Sequence, residues 1–230
     1  KGQLDIIKQI PSIMYDSHDY SGNTPLYYAI EAEQYKVAKY LIKHGDCDFC
    51  HLGKKTTPLH LAVKGRLEIL EIMLSYVNSK KYKRLFDINV KDSFQNIPLL
   101  APFFSEQGKM IKNKDINPSC LKLIIENGAD ITACDSQGNN ILFYVFKFFY
   151  IIKSPDFFNY ILNQRELTLT EKGKESLLIQ LFNQRNIDNI NIFLDRFEID
   201  ADFMRTIFCQ YEIPSIEKVY SLLKKQGKNE

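Results

Sequence analysis

The sequence predicts an all-α fold: a solenoid of stacked helix-turn-helix units joined by short β-hairpin turns. Three observations carry this expectation. A motif recurs at a fixed interval, apolar residues at helical spacing follow each copy, and glycines stand where the second helices should end. Thr24-Pro25-Leu26-Tyr27-Tyr28-Ala29 returns as Thr57-Pro58-Leu59-His60-Leu61-Ala62, with Pro25 and Pro58 33 residues apart. A third copy, Asn96-Ile97-Pro98-Leu99-Leu100-Ala101, follows 40 residues after the second. A period in this range marks a repeat architecture in which each unit hides its apolar face against its neighbours.

Taken in order, residues 2–10 read as the second helix of a preceding unit. Thr24 and Thr57 are placed to N-cap a helix through the side-chain oxygen. The proline after each sits at the first helical position, where its missing N–H and fixed φ cost nothing. Small Ala29 and Ala62 allow helices to approach closely. Second helices are predicted from Tyr35, Val37, Ala38, Leu41 and Ile42, and from Leu67, Ile69, Leu70, Met73 and Leu74. Gly45 and Gly128 are expected to end helices because glycine tolerates positive φ. Lys54-Lys55 stands where the second unit should have its turn glycine, and that unit is one residue short between its helices. Pro102 should shorten or kink the first helix of the third unit. Insertions at 75–86 and 105–118 stretch the period.

Further on, Asp87-Ile88-Asn89-Val90-Lys91-Asp92 has a counterpart in Ala129-Asp130-Ile131-Thr132-Ala133-Cys134-Asp135. That stretch leads to a degenerate copy at Gly138-Asn139-Asn140-Ile141-Leu142. Residues 155–162 complete the fourth unit and 173–194 keep the two-helix rhythm. Residues 201–211 and 215–223 should form a terminal cap with a polar outer face.

The Gly-x-Thr-Pro-Leu-His-x-Ala start, carried by residues 22–29 and 57–62, resembles the ankyrin repeat. So does the Gly-Ala-Asp-Val-Asn end, carried by Asn127-Gly128-Ala129-Asp130-Ile131 and Asp87-Ile88-Asn89. The resemblance is firm from Asp19 to Leu142. It implies one domain over 1–230: a partial repeat at 1–18, repeats at 19–51, 52–91, 92–134 and 135–169, a degenerate repeat at 170–198 and a capping repeat at 199–230.

The resemblance also implies a function: a monomeric, non-enzymatic scaffold that holds a protein partner on a concave surface of turn tips and first-helix faces. Position by position, the tips are Tyr20, Ser21 and Asn23; Lys54 and Thr56; Ser93, Phe94 and Asn96; Ser136, Gln137 and Asn139. The first helices add Glu31, Lys64 and Lys147. Tyr20 and Phe94 are the expected anchors, since exposed aromatics bury much area at low entropic cost. His60 stands at the family's histidine position and is expected to bond the backbone of neighbouring turns.

Composition narrows the alternatives. Thirty Lys and Arg against 28 Asp and Glu leave a net charge of +2, so nucleic acid or acidic membrane is not expected as the main partner. Lysines cluster at Lys80, Lys81, Lys83 with Arg84, at Lys109, Lys112 and Lys114, and at Lys224, Lys225 and Lys228. These read first as solvated loops, second as a basic rim for an anionic lipid or nucleic acid. Five dispersed cysteines point to a reducing, cytoplasmic compartment. Cys47-Asp48-Phe49-Cys50-His51 matches a haem-attachment pattern and, with His44, offers possible zinc ligands; its plainer reading is a turn between repeats. No nucleophile, phosphate-loop or metalloprotease motif occurs, so no catalytic residue, cofactor, metal or small-molecule substrate is expected. The aromatic run at 143–150 reads as core before binding surface. No starting Met is present and the first repeat is partial, which suggests a piece of something longer. One alternative is thus a targeting module of a larger enzyme. The Lys-, Asn-, Ile- and Phe-rich character fits an AT-rich genome, and the family includes effectors that intracellular bacteria export into the host cytosol.

Overall fold

Threonine, asparagine and proline set most of the helix starts. The computed structural model describes residues 2–79, 86–105, 107–111, 116–184, 187–197, 199 and 203–204. Nearly all of the expected cap at 199–230 lies outside them, as do Cys209 and every lysine and arginine of the three basic clusters except Lys109. The chain packs as two compact units, Lys1–Leu167 and Thr168–Glu230.

In the first unit the helices are α1 (Gly2–Ile7), α2 (Pro25–Glu31), α3 (Tyr35–His44), α4 (Pro58–Val63) and α5 (Leu67–Asn78). A 3-10 helix (Pro98–Phe103) precedes α6 (Pro118–Glu126), α7 (Ile141–Lys147), α8 (Phe149–Ile152) and α9 (Pro155–Leu162). Thr24 accepts a hydrogen bond from the Tyr27 N–H and Thr57 from the His60 N–H, the caps the motif predicts. Asn140 caps α7 and Ser154 caps α9 in the same manner.

These helices pack in two rows. First helices meet first helices, α2 on α4, α4 on the 3-10 helix, and the 3-10 helix on α7. Second helices meet second helices, α1 on α3, α3 on α5 and α5 on α6. The core runs between the rows: Leu26, Ala38, Leu41, Leu59, Ala62, Ile69 and Leu70 are all fully buried. Burying a side chain of this kind is worth about 1.5–3 kcal/mol, so each helical pair depends on its neighbours for most of its stability.

Three local expectations meet their physics here. Pro102 lies inside the third unit's first helix, and that helix is 3-10 throughout, since a second proline removes an N–H four residues after Pro98. Gly45 needs correction. Its φ is −101°, ordinary extended backbone; glycine is required because a Cβ would lie 2.7 Å from the Leu41 carbonyl oxygen and 2.9 Å from the Cys47 sulfur. Gly128 does take a positive φ, 96°. The aromatic run is mainly core: Phe143, Tyr144, Val145, Phe146 and Phe148 are buried, while Tyr150 is exposed. Phe103 stacks on Tyr144 at 4.6 Å between ring centres.

No strand occurs among the described residues. Among the described residues, one isolated bridge joins Phe104, just before the insertion at 105–118, to Met110 within it. The second unit holds α10 (Glu171–Asn183), capped by Thr170, and α11 (Ile187–Arg196), which pack together through the rhythm read at 173–194.

Candidate functional site

The turn tips are built from one recurring device. Asp19 Oδ1 accepts from the N–H groups of Ser21 and Asn23, Asp92 Oδ1 from those of Phe94 and Asn96, and Asp135 Oδ1 from those of Gln137 and Asn139. Each aspartate N–H also reaches the carbonyl four residues on, closing the turn. The third turn residue takes a left-handed φ every time: 75° at Gly22, 64° at Gln95 and 80° at Gly138. Glycine suits that conformation and glutamine does not. The second repeat has Leu52 in place of the tip aspartate, and its tip closes from the Gly53 N–H to the Thr56 carbonyl at 3.3 Å. Tyr28 and Tyr144, at equivalent positions, donate their hydroxyls to the second oxygen of Asp19 and Asp135. That bond, with those from Asn23 and Ser21, holds the Asp19 carboxyl below the usual carboxylate range.

Successive turns are tied to one another mainly through main-chain oxygens, with Asn89 Oδ1 accepting from the Asp130 N–H at 2.8 Å as well. His51 Nε2 donates to the Gly22 carbonyl at 2.9 Å. Ser93 donates both its N–H, at 3.0 Å, and its hydroxyl, at 2.8 Å, to the Lys55 carbonyl. His60 Nε2 donates to the Asn96 carbonyl at 3.0 Å, while its Nδ1 accepts from the Thr57 hydroxyl at 2.7 Å. This pairing assigns the neutral tautomer, and burial pushes the His60 pKa below its ordinary value. The expected backbone role of His60 is what these bonds perform.

The Cys-x-x-Cys-His segment is distributed in the same way. The Cys47 thiol is buried and donates to the Leu41 carbonyl, and Cys50 donates to the Asp87 carbonyl at 3.3 Å. Burial pushes both thiols up to about 12, which keeps them protonated. Among the described residues, no group of three or more metal-ligating side chains is gathered.

Between the tips and the first helices lies a groove with two depressions, of about 180 and 250 Å3. Both are lined by Glu31, Lys64, Phe104 and Ser105. The smaller also takes in Asn23, Tyr27, Lys54, Lys55, Thr56, Asp92, Phe94 and Ala101, the larger Ile30, Leu61, Arg66, Gln107 and Ile111. One wall is the third unit's insertion. There the Ser105 N–H donates to the Lys109 carbonyl at 2.7 Å, and the Ile111 N–H to that of Phe103 at 2.9 Å. Gly108 lies against the Phe94 ring so closely that a Cβ would run into it.

Of the expected partner-binding residues, Asn23, Glu31, Lys54, Thr56, Lys64 and Phe94 line this groove. Tyr20 is fully exposed at the first tip, and Ser136 and Gln137 are exposed at the fourth. Ser21 is half-buried, and Ser93 is exposed but bonded to Lys55. Asn96 and Asn139 are buried and belong to the turns themselves. Phe94 is half-buried against Gly108, not an exposed aromatic. Lys147 is half-buried with its ammonium 5.1 Å from the Phe143 ring centre, and burial lowers its pKa. Sequence reasoning missed Tyr27, Lys55, Phe104 and Ser105. Tyr27 occupies the position of His60, a signal that was available; where the insertion residues would fold was not.

Helical pairs in two rows, with turn tips tied one to the next, define a helical repeat protein. The ankyrin-repeat family profile matches residues 1–92 in three copies, so that segment of the chain carries ankyrin repeats, typically non-catalytic modules for protein–protein interaction. The chain is also similar to human transient receptor potential cation channel subfamily A member 1, at 24% identity over 135 residues. That match covers 56% of this chain and 10% of the channel, so the chain spans about a tenth of the length of this curated relative. Among the described residues, no helix is long and apolar enough to cross a membrane.

Proposed function

We propose that this chain is a monomeric, non-enzymatic scaffold whose stacked repeats form a solenoid and hold a partner protein in the groove beside the first three turn tips. The observation that carries the reading is convergence: residues from three successive units, Asn23, Glu31, Lys54, Lys64 and Phe94 among them, line one groove. Tyr20, Ser136 and Gln137 extend the surface along exposed tips. A cytoplasmic setting fits Cys47, Cys50, Cys120 and Cys134, all free thiols.

The test is to pan a random peptide library against the whole chain, then measure the selected peptides on Tyr27→Ala, Lys54→Glu and Ser136→Arg. Loss of about tenfold or more at Tyr27 and Lys54 is expected, as for residues at the centre of an interface. Peptides indifferent to both groove substitutions would remove the groove from the account. Sensitivity to Ser136→Arg alone would move the site to the fourth tip.

A further inference from the structure

We infer that the groove takes an acidic peptide segment in extended conformation, an inference that rests on the groove reading above. Charge is the first argument. Lys54, Lys55 and Lys64 line the groove against the exposed carboxylate of Glu31. Asp92 also lines it, but its carboxylate is 7% exposed and already accepts two backbone N–H groups. Arg66 is committed to Glu33 at 2.8 Å. Neither Lys54 nor Lys55 has an ion-pair partner among the described residues. The lining is therefore net cationic, and an anionic occupant complements it.

An unsatisfied polar atom supplies the second argument. The Thr56 hydroxyl belongs to a residue 8% exposed that lines the groove, and it has no hydrogen-bond partner among the described residues. Buried polar atoms rarely stay unpaired. A peptide main chain brings both donors and acceptors, either of which can pair with a hydroxyl. Phe94 and Phe104 add apolar wall for side chains that alternate with the acids. Three lysines are also few for nucleic acid, whose affinity grows with the number of phosphates contacted.

The experiment uses the whole chain and short fluorescent peptides alternating leucine with glutamate, glutamine or lysine, followed by anisotropy at low and high salt. Single-stranded oligothymidylate and phosphatidylserine vesicles are the polyanion probes. The glutamate peptide should bind at least about tenfold tighter than the glutamine one at low salt, and the margin should shrink as salt rises. Lys54→Glu with Lys55→Glu should reverse the preference toward the lysine peptide, a gain that misfolding cannot mimic. Thr56→Val should weaken the glutamate peptide several-fold without changing the thermal unfolding profile. Equal binding of the glutamate and glutamine peptides overturns the inference, as does tighter binding of oligothymidylate or vesicles. If the alternating peptides fail while library-selected peptides still lose affinity on Tyr27→Ala, the acid preference falls and the groove stands. If neither responds, both fall.

Discussion

At the scale of single residues, the buried His60 bonds through its ring both within its own repeat and to the next one. It is capped by Thr57, bonded to Thr57 through the ring, and tied to the next unit through Asn96. Because burial lowers its pKa in the fold, the unfolded chain binds the proton first, near pH 6.5. Stability is therefore fully present above that pH and is lost as pH falls below it toward the folded value. Urea midpoints measured from pH 8 to pH 5 should decline below about pH 6.5 in the native chain, and His60→Gln should flatten much of that decline. A native curve as flat as the variant's would contradict the buried neutral ring. Gln95 is the mirror case, a residue that its site does not suit. It holds φ at 64° where the equivalent tips have glycine, so Gln95→Gly should raise the free energy of unfolding by about 1 kcal/mol. A loss of stability there would show that the glutamine side chain makes a compensating contact. Histidine's place and bonding were legible from the motif. The strained glutamine was overlooked, although Gln95 stands in the third copy of the motif where Gly22 stands in the first.

At the scale of elements, threonine-proline starts, helical spacing and the proline-damaged helix of the third unit could all be read directly, since each depends on residues within one turn. The insertion could be seen as extra length but not as a shape. Its bridge from Phe104 to Met110 and its seat on Phe94 are contacts between segments, and only packing decides them. Gly108 is the residue that permits the seat, at φ 71° and with the Phe94 ring against its Cα. Gly108→Ala should displace the insertion, lower library-peptide affinity about tenfold, and cost roughly 1–2 kcal/mol. Affinity left intact by that substitution would mean that the insertion wall does not shape the site.

At the scale of the whole molecule, packing is uneven along the first unit. Every residue of α4 is buried, whereas Ile6, Ile13 and Met14 near the start are exposed. In an array that is held together by neighbours, opening energy should follow that gradient. Amide hydrogen exchange should be slowest in α4 and α5 and fastest in α1; equal protection across the three would contradict nearest-neighbour stabilisation. The candidate site was half legible at this scale. Family position pointed to the face where six of the expected residues line one groove, but it could not tell half-buried tip residues from buried ones, because Asn96 and Asn139 look like Asn23 in sequence.

Several of the ties between repeats end on main-chain oxygens, those of Lys55, Asp87 and Asn96. A carbonyl accepts the same bond whatever side chain its residue carries. Positions such as Lys55 can thus be exchanged, one at a time, without unfastening the scaffold beneath them. The side chains of this face are free to drift under selection while the architecture that presents them stays fixed.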